Sequence, residues 1–270
     1  MAEGTLISVG AATNHVLRTA DPYAKVMAAR AAARDWRLGR LTHVFDAVLP
    51  DRPARPDRPE LLLPAQMPRR GKGRSERARI AMLHALAHIE FVAIDLAFDL
   101  VGRFGGDFGP EFTDDWMRVG ADEAMHFALL DRRLRQYGSF YGALPAHDGL
   151  WEAAIETAHD VMARLAIVPM VLEARALDIT PQTIVRFEQA EDFASGKMLG
   201  RIYRDEIRHV AAGTKWFNLA AKRKGISPVN SYQILVNRHF RGALKPPFND
   251  SARRQAGLTQ DYYAALALKA

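Results

Sequence analysis

Two stretches of this chain pair a carboxylate with an imidazole at helical spacing. Residues 122–126 read Asp-Glu-Ala-Met-His, and residues 205–209 read Asp-Glu-Ile-Arg-His. Positions three apart on a helix share a face, so Glu123 stands beside His126 and Glu206 beside His209. Each pair is half of a metal site. Glu90 and Glu173 lie on two further apolar runs, each 33 residues before the glutamate of a motif. The first midpoint falls near Gly106, where Gly105-Gly106 requires a turn, and the second near Gln189-Ala190. Residues equidistant from a hairpin turn lie side by side, so Glu90 should face Glu123 and Glu173 should face Glu206. A single Glu-x-x-His carries no weight, but requiring Asp before the Glu lowers the chance expectation to about 0.03 matches. The chain has two. Their neighbours Val119, Ala121, Phe127, Ile202, Ile207 and Val210 are apolar, which argues against a solvated charged face. Buried acids without a counter-charge are strongly unfavourable, and a pair of divalent cations removes that cost.

The elements that must position these residues are helical. A run from Ser75 to about Phe104 ends at the glycine pair, and Pro110 opens a second run, Glu111 to about Tyr137. A third goes from Leu150 to about Leu177. Thr180-Pro181 has the form of an N-cap and first-turn proline, starting a short helix to Ala190. A fourth long run spans Asp192 to Lys224. Before these, Asp21-Pro22 opens an amphipathic run to Leu41, and six prolines between 49 and 74 forbid a helix and predict an extended surface segment. Residues 1–20 carry little signal. Residues 226–270 predict short helical pieces, the last over Asp261–Leu268. No stretch alternates as a strand does. The expectation is an all-α protein with a wrapping segment (1–74), a four-helix bundle (75–225) and a basic extension (226–270).

Composition narrows the chemistry. There are no cysteines, which removes disulfides, thiolate zinc sites, iron–sulfur clusters and thiol nucleophiles. Residues 1–79 carry 15 Lys/Arg against 8 Asp/Glu, and residues 222–270 carry 9 against 2, while the stretch between is acidic. Either the basic flanks pack on an acidic core, or they meet an anionic partner such as nucleic acid. No apolar run is expected to reach the roughly 20 residues that span a bilayer. No secretory signal is visible, so a cytoplasmic location is expected.

A Glu from each of two helices with a Glu-x-x-His from each of two others is the ligand pattern of ferritin-like di-iron carboxylate proteins, and the chain resembles that superfamily. More narrowly it resembles one bacterial ferritin-like family of unknown function. The resemblance rests on Met67-Pro68-Arg69-Arg70, His84 to Glu90, Leu144 to Trp151, Val168 to Arg175 and Tyr203 to His209, and covers roughly residues 15–265. It implies a ferritin-like bundle holding two iron ions, with manganese or a mixed pair as alternatives. Glu90 and Glu173 would be terminal ligands, Glu123 and Glu206 bridges, and His126 and His209 would each cap one metal. Asp122 and Asp205 would accept the free N–H of a ligand histidine on the facing helix. The implied activity is an oxygen-activating oxidoreductase, an oxygenase or oxidase that takes dioxygen or peroxide, a small organic substrate and a separate reductant. The alternatives are a ferroxidase or peroxide scavenger without an organic substrate, and a tRNA-modifying hydroxylase. A homodimer is compatible with all three.

Other residues invite discounting. His84 and His88 are four apart, but His88 lies about 200° around the helix from Glu90 and should point away from it. His147 and His159 read as linker and surface residues. Tyr203 shares the face of Glu206 and is a candidate redox or gating residue, against the plainer reading of a hydrogen-bonded core tyrosine. Pro169 interrupts the third helix one turn before Glu173, and a carbonyl freed there would widen the bundle or admit a substrate.

Overall fold

The computed structural model describes residues 7–68 and 75–267. Among them helices dominate, as expected, and the only strands are two of two residues each. The chain divides into two compact units, Met1–Trp151 and Glu152–Ala270.

In the first unit, β1 (Ile7–Ser8) pairs in parallel with β2 (Leu41–Thr42). Between them lies α1 (Val9–Arg18), a helix that residues 1–20 do not announce. Ser8 caps it, its Oγ accepting from the Ala11 N–H at 2.9 Å. The helix is only ten residues long, and burial of Val9, Val16 and Leu17 stabilises it more than propensity does. Next comes α2 (Pro22–Arg37), capped by Asp21 with Pro22 at the first position. The proline-rich segment that follows runs extended where described, and Leu62 N–H donates to the Ala146 carbonyl at 2.8 Å. The cluster Arg69, Arg70, Lys72 and Arg74 lies outside the described residues.

Two long helices dominate this unit. Ser75 caps α3 (Glu76–Phe104), and α4 (Pro110–Gln136) returns after the turn Gly105–Asp107. They approach closely: a Cβ on Gly120 would stand 2.5 Å from the Phe98 ring. The span Glu76–Asp107 meets the length and hydropathy of a membrane-crossing helix, with 67% of its most apolar window buried in protein. This corrects the expectation that no run reaches that length. Asp95 and Asp99 interrupt the run to the eye, but both are fully buried among its apolar residues. Each has a cation. Lys25 Nζ and Arg55 Nη1 both donate to Asp95, and Arg103 Nη2 to Asp99 at 2.8 Å. Burial pulls the Lys25 ammonium below its ordinary pKa, against the opposing pull of Asp95. Here the basic flank does pack on acidic core residues.

The helix α5 (Gly149–Glu156) leads into the second unit. The single helix expected over 150–177 is in fact broken. Asp160 caps a new helix, α6 (Val161–Ile167), then comes a π-helical turn, Val168–Glu173, and then α7 (Ala174–Gln189). The turn widens where Pro169 removes a backbone donor. Gly213 on α8 (Phe193–Arg223) makes room for it, since a Cβ there would lie 2.5 Å from Pro169 Cβ. The buried Tyr232 hydroxyl, on α9 (Pro228–His239), donates to the Met170 carbonyl at 3.2 Å. Tyr232→Phe leaves that buried carbonyl without this donor and should cost about 1–3 kcal/mol. Urea denaturation measures it, and an unchanged midpoint would deny the hydroxyl this role.

Thr180-Pro181 does not start a helix, because α7 runs through it. The N–H that Pro181 lacks would have bonded the Leu177 carbonyl. Asn249 Nδ2 donates to that carbonyl instead, at 3.1 Å. The turn to α8 falls at residues 190–192, with Glu191 at φ 60°, and α8 starts within a residue of the expected place, capped by Asp192. The C-terminal pieces are α10 (Asp250–Gln255), α11 (Gln260–Tyr263) and a 3-10 turn, Ala264–Leu266. The helix expected over Asp261–Leu268 is therefore shorter, and its last residue lies outside the described residues.

Candidate metal centre

In the first unit the hairpin α3–α4 brings Glu90, Glu123 and His126 together. All three are buried, with 6%, 1% and 0% of their surface exposed. His126 Nδ1 lies 3.3 Å from Glu90 Oε2 and 3.4 Å from Glu123 Oε2. Ligand atoms of the three fall within 4.8 Å of one another. The equal spacing about Gly106 thus places Glu90 opposite the motif, as hairpin geometry requires. Burial first, and then the neighbouring Glu123 charge, push the Glu90 carboxyl well above the ordinary carboxylate range. Two carboxyls and an imidazole in that setting need a proton or a cation between them. An oxygen and nitrogen donor set without thiolate suits iron, manganese or zinc, and gives no preference among them.

The second unit carries the other motif. Glu206 and His209 are buried on α8, with His209 Nδ1 3.6 Å from Glu206 Oε1. Glu173 closes the π-helical turn and is half-buried. Asp205 is buried and lies 2.7 Å from Arg208 Nη2 one turn on, while Asp122 is half-buried. Tyr203 is half-buried, and its hydroxyl accepts from Asn249 Nδ2 at 2.9 Å.

His84 and His88 are engaged elsewhere. His84 Nε2 accepts from the Gly142 N–H at 2.9 Å, and His88 contacts the Tyr141 hydroxyl at 2.9 Å and the His147 carbonyl at 3.2 Å. Together they hold the linker after α4 against α3. Tyr141, which no sequence pattern marks, packs against both imidazoles and against Phe91 and Phe127.

Burial lowers the His84 pKa to about 4, from an ordinary value near 6.5. The unfolded chain therefore binds the proton first as pH falls. The contribution is complete above about pH 6.5 and is lost as pH drops toward 4, amounting to roughly 2–3 kcal/mol. His84→Gln keeps an acceptor and should flatten that part of the stability–pH curve. An unchanged curve would contradict the assignment.

Residues 18–264 match the family model described as "Protein of unknown function (DUF455)". The chain belongs to this family. It is also 41% identical over 211 residues to a Haemophilus influenzae protein described as uncharacterized, covering 76% of this chain and 73% of that one. No solved structure matches. The family match takes in all six candidate ligands, both motif aspartates and Tyr203.

Proposed function

We propose that the chain is a ferritin-like dinuclear metal protein, with iron as the metal, acting as an oxygen-activating oxidoreductase on a small organic substrate. The observation that carries it is the buried convergence of Glu90, Glu123 and His126 in the first unit, with the second Glu-x-x-His pair, Glu206 and His209, likewise buried in the second. In this reading Glu173 and His209 complete the set, and the α3–α4 and α7–α8 hairpins form the four-helix bundle. Glu90, Glu123, Glu173 and Glu206 would hold the metals through their carboxylates, and His126 and His209 through their imidazoles. Asp122 and Asp205 fix the tautomers of the imidazoles. Bound ferrous iron supplies dioxygen reduction coupled to substrate oxidation. The chain supplies the buried ligand geometry, the exclusion of water and the local widening at the π-helical turn beside Glu173. Tyr203 is placed one turn from Glu206 and is anchored by Asn249.

The test is oxygen uptake by the ferrous-loaded, full-length protein. Acceleration by a metabolite fraction, lost in Glu206→Ala and retained in His84→Ala, is the expected result. Uptake that is only stoichiometric with iron, whatever is added, would favour metal handling instead.

A further inference from the structure

A pocket of about 330 Å³ lies within the second unit. Val171 and Leu172 of the π-helical turn and Arg175 and Asp178 of α7 line one side, and the 240–248 loop lines the other. Val171, Arg175 and Asp178 are four and three residues apart and share a face. Glu173 lies two residues from both Val171 and Arg175, roughly 200° around the helix. The pocket is therefore on the far side of this helix from the proposed metal ligand.

Its polar end is unusual. Arg253 lines the pocket and is only 2% exposed. Its Nε and Nη2 donate to the two oxygens of Asp178 at 2.9 and 2.7 Å. The rings of Phe248 and Tyr263 flank the guanidinium, with centroids at 4.9 and 4.5 Å. Buried Nη1 has no hydrogen-bond partner among the described residues. A buried donor left unmade is costly, and an ionised acceptor satisfies it best. Arg175 Nη1 donates to the Lys245 carbonyl at 2.6 Å, which places a second guanidinium and the exposed Lys245 at the same pocket. Three cations here face one carboxylate, Asp178. The remaining wall is apolar: Val171, Leu172, Phe240, Leu244 and Phe248.

We propose that this pocket binds a small organic monoanion, a carboxylate with an apolar body. Asp178 uses one edge of the Arg253 guanidinium and leaves donor capacity and net positive charge for the head group. The apolar wall takes the body. A volume at the lower end of the roughly 300–1,000 Å³ of ligand sites limits that body to a short chain or one ring.

Calorimetric titration of the full-length chain with hexanoate, 1-hexanol, acetate and inorganic phosphate tests it. Hexanoate should saturate, with the other three at least about tenfold weaker, because each lacks the charge or the body. Ala243→Phe, which fills the pocket, should abolish binding. Lys245→Gln, a change of an exposed side chain, should weaken hexanoate about threefold and less so at high salt. Equal binding of hexanol or of phosphate, hexanoate affinity unchanged in both variants, or no saturation by hexanoate would each overturn the proposal.

Discussion

Asp95→Ala destabilises the first unit by about 3–5 kcal/mol, which for a chain of ordinary stability is a large part of the total. Lys25 has no exposed surface, and its ammonium donates to Asp95. Arg55 donates to the other oxygen of the same carboxylate and lies over the Phe91 ring. Removing the carboxylate leaves two cations facing each other in an apolar surround. Lys25 must then lose its proton or come out of the core, and either outcome loosens α2 from α3. The partner variant Lys25→Met keeps the stem's packing while removing one charge, and should cost less than Asp95→Ala. Chemical denaturation of both variants measures the difference. Equal, small losses would show that water reaches this cluster freely.

Glu123→Gln has opposite effects on the metal-free and metal-loaded protein. Without metal, Glu90 and Glu123 compete for charge in a buried site, where burial and then the Glu123 charge push the Glu90 carboxyl well above the ordinary carboxylate range. Neutralising Glu123 relieves that repulsion, and the apo variant should be more stable than the apo parent by about 1–3 kcal/mol. With metal the order reverses. The variant loses one of the proposed ligands, so its affinity should fall and with it the stabilisation that bound metal lends the folded state. Melting temperatures with chelator and with ferrous iron under anaerobic conditions give both signs. A variant less stable in both states would mean that Glu123 serves packing rather than a cation.

Much of this arrangement is legible in the sequence because its signals are local. Asp21-Pro22, Ser75, Gly105-Gly106, Pro110 and Asp192 start or stop their helices within a residue or two of the expected places. The spacing of Glu90 and Glu123 about the glycine turn then places both beside His126. What was not legible depends on distant partners. Pro181 reads as a helix start because its missing N–H normally strands a carbonyl, and only Asn249, 68 residues on, supplies the donor that lets α7 continue. The π-helical turn likewise leans on Tyr232 and on the absent side chain of Gly213. Asp95 and Arg253 gave no warning either. A lone charge in an apolar run or a basic tail looks solvated until its partner is placed.

In the proposed centre six residues, Glu90, Glu123, His126, Glu173, Glu206 and His209, hold two metal ions. Its most direct test is elemental analysis of the full-length protein after anaerobic loading with ferrous iron and removal of unbound metal. About two irons per chain are expected, falling to about one in His126→Ala and in His209→Ala and unchanged in His84→Ala. Fewer than one metal per chain with all six residues intact would contradict it.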